Sequence, residues 1–175
     1  MSKLYVNEIA SKTGSTTAMT IDSSGTVTTK SKESFVLLGY QLNPAAYNTP
    51  SSGDKFPFNQ VAQSKGTGAS DWNNTTKEYT APCNGIYSWH ISSITNATTN
   101  TVDWRLHIDG VEYHMASWQN GGRGYNGSGQ VYLNQGQTLT WVANNATTKL
   151  YGNVGGIGSS GSYTSGSVAL IREIV

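Results

Sequence analysis

The segment 102–118, "VDWRLHIDGVEYHMASW", constrains the fold of this chain more than any other stretch. Asp109-Gly110 is a favoured pair for a two-residue type I′ turn, which joins antiparallel strands and fixes their register. Counting outward from that turn predicts one apolar face and one charged face. The apolar pairs are Ile108 with Val111, Leu106 with Tyr113 and Trp104 with Met115; the other face pairs His107 with Glu112, Arg105 with His114 and Asp103 with Ala116.

Residues 81–94, "APCNGIYSWHISSI", repeat this period of two behind a cluster of turn residues. Tyr87 and Trp89 alternate with small polar residues, which indicates a central strand with one face in the core. Charged residues make up 12% of the chain, against about 25% in ordinary domains. Threonine and aromatic residues suit strands, and glycine, asparagine and serine suit turns. The sequence therefore predicts an all-β domain.

A second hairpin is expected between Val131 and Trp141, with its turn at residues 134–137, and no helix is expected after residue 33. Two further strands, 35–40 and 168–175, are apolar on both faces. In an antiparallel protein such strands are covered on two sides, and in a small domain another subunit can supply the second cover. The residues predicted to form that subunit interface are Phe35, Leu37, Ala169 and Ile171.

Residues 1–33 differ from the remainder, 34–175, because their apolar residues are sparse. A small hairpin is expected where 19–21 and Val27 flank "DSSG". This segment buries too little apolar surface to fold alone, so it needs copies of itself or a larger assembly. We interpret it as an extended N-terminal anchor, with Leu4, Val6 and Ile9 as the anchoring side chains.

Several function classes find no support in the residues. The net charge of +1 gives no footprint for nucleic acid or an anionic membrane. Cys83, the single cysteine, is interpreted as a turn thiol. "GRGYNG" precedes a predicted strand, whereas a dinucleotide-binding loop would precede a helix. No carboxylate pair or nucleophile arrangement suggests catalysis, so we predict neither an enzyme nor a cofactor.

The charged face of the first hairpin poses an alternative between a metal site and a polar ladder. His107, Glu112 and His114 are residue types that bind metal ions. Arg105 is predicted opposite His114, and a fixed cation there disfavours a metal ion. We therefore predict no metal and interpret the face as a cross-strand polar ladder.

The stretch 118–129, "WQNGGRGYNGSG", is the candidate binding loop. It presents Trp118, Arg123 and Tyr125 among glycines and asparagines, and aromatic faces with nearby donors suit a glycan. The alternative is an ordinary long connection with Trp118 buried at its base.

The order of these features resembles the jelly-roll heads of the complement C1q and tumour-necrosis-factor superfamily. The motifs that carry the resemblance are Pro82-Cys83-Asn84-Gly85-Ile86-Tyr87-Ser88-Trp89, Leu106 to Gly110, Val131 to Trp141, and Ser165-Gly166 before Val168. Ser167 and Val168 replace the phenylalanine usual in the closing strand. The resemblance covers residues 35–175 and implies an antiparallel jelly-roll sandwich that forms a homotrimer about a threefold axis.

The first 30 residues resemble the N-terminal segments of bacteriophage fibre and decoration proteins. That resemblance implies a virion protein assembled in the host cytoplasm and attached to a phage capsid or tail protein through this segment. The expected function is a short trimeric knob or fibre that adheres to host surface glycans. The alternative is a capsid decoration trimer that stabilises or covers the shell without binding a receptor.

Overall fold

The computed structural model describes residues 8–10, 17–21, 23–29, 32–41, 46–48, 50–94, 102–118, 124–144, 150–152 and 164–174. The chain divides into two compact units, 1–32 and 33–175. In the first unit, β1 (Glu8–Ala10), β2 (Thr17–Ile21) and β3 (Val27–Thr29) form an antiparallel three-stranded sheet. The hairpin expected around "DSSG" is therefore confirmed, since β2 pairs with β3.

The second unit is built on two antiparallel five-stranded sheets. Sheet I has the order β12 (Gly124–Leu133), β9 (Gly85–Ile94), β15 (Ser165–Glu173), β4 (Ser34–Gly39) and β6 (Gln60–Gly66). Sheet II has the order β11 (Val111–Trp118), β10 (Val102–Ile108), β13 (Thr138–Ala143), β8 (Glu78–Thr80) and β7 (Trp72–Asn73). A small sheet pairs β5 (Ala46–Asn48) with β14 (Leu150–Gly152), and one helical turn, α1, spans Gly68–Asp71.

The inner faces of the two sheets enclose an aromatic core. Phe56 stacks on Phe58 at 4.4 Å and tilts against Trp104 at 4.4 Å, while Phe58 meets Trp141 edge-on at 5.6 Å, all between ring centroids. Tyr87 and Trp89 lie in this core at 0% and 5% exposure, as the alternation of β9 predicts. Tyr87 also donates its hydroxyl to the Cys83 carbonyl at 2.8 Å, which closes the corner before the strand. The prediction of an all-β jelly-roll-like sandwich is thus confirmed.

Three local predictions are wrong. A bulge between Leu106 and His107 shifts the first hairpin, so that Leu106 lies opposite His114, Arg105 opposite Met115 and Trp104 opposite Ala116; the pairs Ile108–Val111 and His107–Glu112 are as predicted. Strands β12 and β13 are not a hairpin, because their connection crosses from sheet I to sheet II. The prediction that no helix follows residue 33 is also wrong, because α1 is a helix of one turn. Sequence periodicity cannot reveal so short a helix.

A buried polar network joins the two sheets beside the core. Ser34 of sheet I donates its hydroxyl to the Asp71 carboxylate at 2.6 Å and lies 2.5 Å from the hydroxyl of Tyr79 in sheet II. Because the Ser34 hydrogen points to Asp71, Tyr79 donates to Ser34. Thr67 donates to the same Asp71 oxygen at 2.7 Å. Burial raises the pKa of Tyr79, so its hydroxyl stays a donor across the physiological range.

Changing Tyr79 to phenylalanine should therefore destabilise the second unit. The variant removes the only atom of Tyr79 that enters the network and leaves the ring in place, so the Ser34 hydroxyl loses its donor. We expect a loss of about 1–3 kcal/mol in the free energy of unfolding, measured by urea denaturation. Tyr113→Phe, which removes a hydroxyl from a side chain that is 58% exposed, is the matched control. Equal stability of both variants would contradict a stabilising network.

Candidate functional surfaces

The outer face of sheet I, which we call the neutral face, carries no acidic residue, lysine or arginine among the described residues at its centre. Val36, Leu38 and Val168 point into the core, so their strand neighbours point outward. Register places Ala169 between Ser88 and Phe35, and the next row places Ser167 between His90 and Leu37. These six side chains are half-buried.

Among the described residues, formal charge on this sheet lies at its margins. Lys65 is on the edge strand β6 and pairs with Glu33 at 3.2 Å, and Arg172 and Glu173 close β15. Outer strand β12 contributes the uncharged, outward Asn126, Ser128 and Gln130. The centres of protein interfaces are depleted of charge in the same way.

The outer side of sheet II contrasts with the neutral face because it carries ion pairs. Arg105 pairs with Glu112 across the first hairpin, and Lys55 pairs with Glu78 at 2.7 Å. The Lys55 hydrogen bond holds the pKa of Glu78 below its ordinary value. By residue type Glu112 could join His107 and His114 in a metal set, but the sequence favours a cross-strand polar ladder; in the structure its carboxylate pairs with Arg105. Sheet II therefore presents a face suited to solvent.

A second surface, which we call the apolar edge, is formed by the edge strand β11 of sheet II and the edge strand β12 of sheet I. Val111 is 69% exposed, Tyr113 58% and Tyr132 48%. They line a cavity of about 330 Å³ together with Ile108, Glu112, Asn134 and Gln137. Exposed apolar residues are unremarkable singly, whereas large exposed apolar clusters are typical of interaction sites, which makes this edge a candidate. The sequence pattern places Val111 and Tyr113 on the core-facing side of the first hairpin, so it does not reveal this surface.

Asp109 fixes the position of the apolar edge. Its backbone and that of Gly110 are left-handed, with φ of 50° and 78°, as a type I′ turn requires. Its carboxylate accepts hydrogen bonds from the Thr138 amide at 2.8 Å and the Gln137 side-chain amide at 2.8 Å. The Thr138 bond, with the Gln137 bond second, lowers the pKa of Asp109. The turn of the hairpin is thereby tied to β13.

The residues predicted from sequence are placed as follows. Phe35, Leu37 and Ala169 lie together on the neutral face, and Ile171 lies further along β15 at 52% exposure. Trp118 ends β11 and Tyr125 lies near the start of β12, so they occupy different sheets on either side of the connection between them. Ile9 lies in β1; Arg123, Leu4 and Val6 lie outside the described residues.

Membrane insertion by a helix finds no support, since the described residues include no helix of sufficient length and apolarity to cross a bilayer.

The fold resembles solved structures of the complement C1q and tumour-necrosis-factor type. The globular domain of zebrafish complement 1qA matches with a TM-score of 0.57 at 13% identity, over 82% of this chain and 100% of that one. Murine APRIL matches with a TM-score of 0.59 at 16% identity, over 80% and 100%. Eiger TNF from S. frugiperda matches with a TM-score of 0.56 at 8% identity, over 83% and 96%. These likenesses establish a shared fold.

No protein-family model matches the sequence, and no curated protein matches it either. The three structural matches confirm, at the level of the fold, the jelly-roll resemblance inferred from sequence. None of them indicates a phage protein, so the phage resemblance rests on the N-terminal segment alone.

Asp109→Asn tests the attachment of the first hairpin. Asparagine tolerates the left-handed turn, but it lacks the negative charge that strengthens the hydrogen bonds from the Thr138 amide and the Gln137 side chain. A carboxylate with a lowered folded-state pKa stabilises the protein above its unfolded value of about 3.9 and loses this contribution as the pH falls through the folded value. We expect the stability of the wild type to fall more steeply than that of the variant as the pH drops below about 4 and Asp109 becomes protonated. Thermal unfolding across that range measures it, and parallel acid limbs would contradict the assignment.

Proposed function

We propose that this chain is a non-catalytic structural protein whose second unit assembles as a homotrimeric knob. The observation that carries the proposal is that one molecule presents two unlike surfaces: the neutral face of sheet I and the apolar edge of β11 and β12, where three large apolar side chains are exposed. The outer side of sheet II, with its ion pairs, offers the contrast that singles them out. A soluble monomer would leave both surfaces in water.

Two unlike surfaces favour a ring. A twofold dimer brings the same patch of two subunits together, whereas a head-to-tail contact joins one patch to a different one and closes when the rotation between subunits allows it. The apolar edge of one copy can supply Val111, Tyr113 and Tyr132, and the neutral face of the next can receive them on Phe35, Leu37 and Ala169. The serines around Ala169 are small, so the two backbones can approach closely. The number three follows from the jelly-roll resemblance.

Light scattering on the full-length protein should give three times the 18.7 kDa mass of the chain. Ala169→Arg puts a charge at the centre of the neutral face and should yield monomer at micromolar concentration, since an unpaired charge cannot be desolvated there. The control is Thr80→Arg, which places the same charge at an exposed position of sheet II and should leave the trimer intact. A monomeric wild type would overturn the trimer, and a trimeric Ala169→Arg variant would overturn the neutral face as its interface.

The trimer would serve on a phage virion, assembled in the host cytoplasm. The support is the resemblance of the N-terminal segment to phage attachment segments, together with the division of the chain into a small sheet of three strands and a separate sandwich. In this role Leu4, Val6 and Ile9 attach the trimer to a capsid or tail protein. Trp118, Arg123 and Tyr125 contact a glycan of the host surface.

Capsid decoration is the second candidate, favoured by the form of the first unit. Its described strands β1, β2 and β3 make one small antiparallel sheet and not an extended shaft. Copy number on the particle separates the two roles: hundreds of copies fit a decorated shell, and tens at most fit a tail fibre.

Adhesion is tested by binding of the purified trimer to susceptible cells. The double variant Trp118→Ala with Tyr125→Ala should reduce adsorption at least tenfold, because aromatic platforms contribute most of the contact with a sugar ring. Light scattering on the same sample controls for loss of assembly. If the wild type ignores cells but binds bare capsids, decoration replaces adhesion.

A further inference from the structure

A polar cleft lies at the far margin of sheet II, beside β7 and β8 and away from the apolar edge at β11. Its volume is about 470 Å³, within the range of small-molecule sites. One wall is the segment 50–57, and the other is the turn 73–77 between β7 and β8. The lining residues are Pro50, Gly53, Asp54, Lys55, Pro57, Thr75, Thr76 and Lys77.

The first wall is held in place by strand β13. Gly53 donates its amide to the Ala143 carbonyl at 2.7 Å, Ala143 donates back to Asp54 at 2.8 Å, and Phe56 donates to Trp141 at 2.7 Å. Phe56 and Phe58, on either side of Pro57, are buried in the aromatic core. The segment is therefore fixed although it is not part of a sheet.

The second wall is equally constrained. The Asn73 side-chain oxygen accepts hydrogen bonds from the Thr75 and Thr76 amides at 2.9 and 3.1 Å. The Lys77 amide donates to the Asn73 carbonyl at 2.8 Å, and the Thr140 hydroxyl of β13 donates to the Lys77 carbonyl at 2.6 Å. Both walls are therefore attached to strand β13. Because the cleft is already ordered, ligand binding does not carry the entropic cost of ordering its walls.

Lys77 is an unexpected residue at its position. Its φ is 59°, in the left-handed region that glycine and asparagine adopt readily and in which other side chains are strained. Its neighbours at 73 and 74 are asparagines, so a residue suited to this conformation is abundant in the same turn. Strained residues of this kind gather where the side chain serves a function.

The cations of the cleft are not equivalent. Lys55 is neutralised by Glu78 at 2.7 Å. Asp54 accepts a hydrogen bond from the Ser51 amide at 2.7 Å, so one oxygen of its carboxylate is engaged within the turn 51–54. Lys77 donates to the neutral side-chain oxygen of Asn74 at 3.1 Å, and no carboxylate of the described residues pairs with it. Partial burial lowers the pKa of Lys77, which means that an anion would relieve a desolvated ammonium.

We propose that this cleft binds a saccharide that carries a carboxylate. The carboxylate lies on the Lys77 ammonium, the ring hydroxyls meet Thr75, Thr76 and Asp54, and Pro50 and Pro57 provide an apolar wall for the ring. The hydroxyls and the Asp54 carboxylate argue for a hydroxylated ligand over a bare anion, which Asp54 would repel. The inference gives the proposed adhesive role a ligand class and rests on that role; it does not depend on the stretch 118–129.

The test compares a glucuronate-terminated oligosaccharide and a sialate-terminated one with their neutral counterparts, immobilised and titrated with the full-length protein. We expect at least one acidic glycan to bind tenfold or more tightly than its neutral partner. Lys77→Asn should abolish that preference while unfolding at the same or a higher temperature, because asparagine suits the left-handed backbone. Lys77→Arg should retain it within a few-fold.

Lys32→Asn is the matched control, since it makes the same charge change at an exposed lysine outside the cleft. Unchanged acidic-glycan binding in Lys77→Asn, or an equal loss in Lys32→Asn, would overturn the site. Free phosphate that displaces the glycan at equal concentration would reveal a plain anion site and overturn the saccharide assignment. If the protein adsorbs to cells but Lys77→Asn adsorbs equally, the cleft is wrong and adhesion stands; if the wild type does not adsorb, the adhesive role itself fails.

Discussion

Aromatic packing between the two sheets is the constraint on which the remainder of the second unit depends. Phe56 and Phe58 come from a segment outside both sheets and insert between Trp104, Trp141 and Trp72. Burial of such rings supplies most of the stabilising free energy of a sandwich this size. Within the described residues the indole N–H groups of these three tryptophans have no hydrogen-bond partner. Each such group costs about 1–3 kcal/mol, a loss that the apolar contacts must exceed.

This core determines what the outer surfaces can do. Because the aromatic core already holds the two sheets together, the outer faces are free to differ. Sheet II acquires ion pairs at Arg105 and Lys55, while sheet I keeps serines and Ala169 at its centre. Uncharged small residues gain little from facing water and cost little to bury. The outer faces of the two sheets therefore differ in how well they suit association, and the residues that point away from the core produce this difference.

The sequence predicts strands correctly where apolar and polar residues alternate strictly. It fails where the pairing of strands distant in sequence decides the local structure. The alternation around Tyr87 and Trp89 identifies a half-buried central strand, and the two-faced strand at 35–40 identifies the neutral face. The bulge between Leu106 and His107 has no local signature, because an extra residue in one strand is set by the neighbours with which both strands pair. The 134–137 turn looks like a hairpin turn, yet it passes between sheets, a choice made by the whole topology. For the cleft, the sequence offers only two prolines and an asparagine-rich turn. The left-handed backbone of Lys77, and the lack of an ion pair between Lys77 and any carboxylate of the described residues, are visible only in the structure.

The placement of the surfaces also separates assembly from ligand binding. Sheet II runs from the apolar edge at β11 to the cleft beside β7, with three strands between them. An association that covers β11, β12 and the neutral face leaves the β7 margin exposed on each copy, so three clefts would point outward from one ring. Single sites for a saccharide bind weakly, since few contacts must offset the loss of freedom on binding. Three sites on one rigid body raise the effective concentration of the second and third contacts, so the avidity of the knob would depend on the neutral face even though no residue of that face touches the ligand.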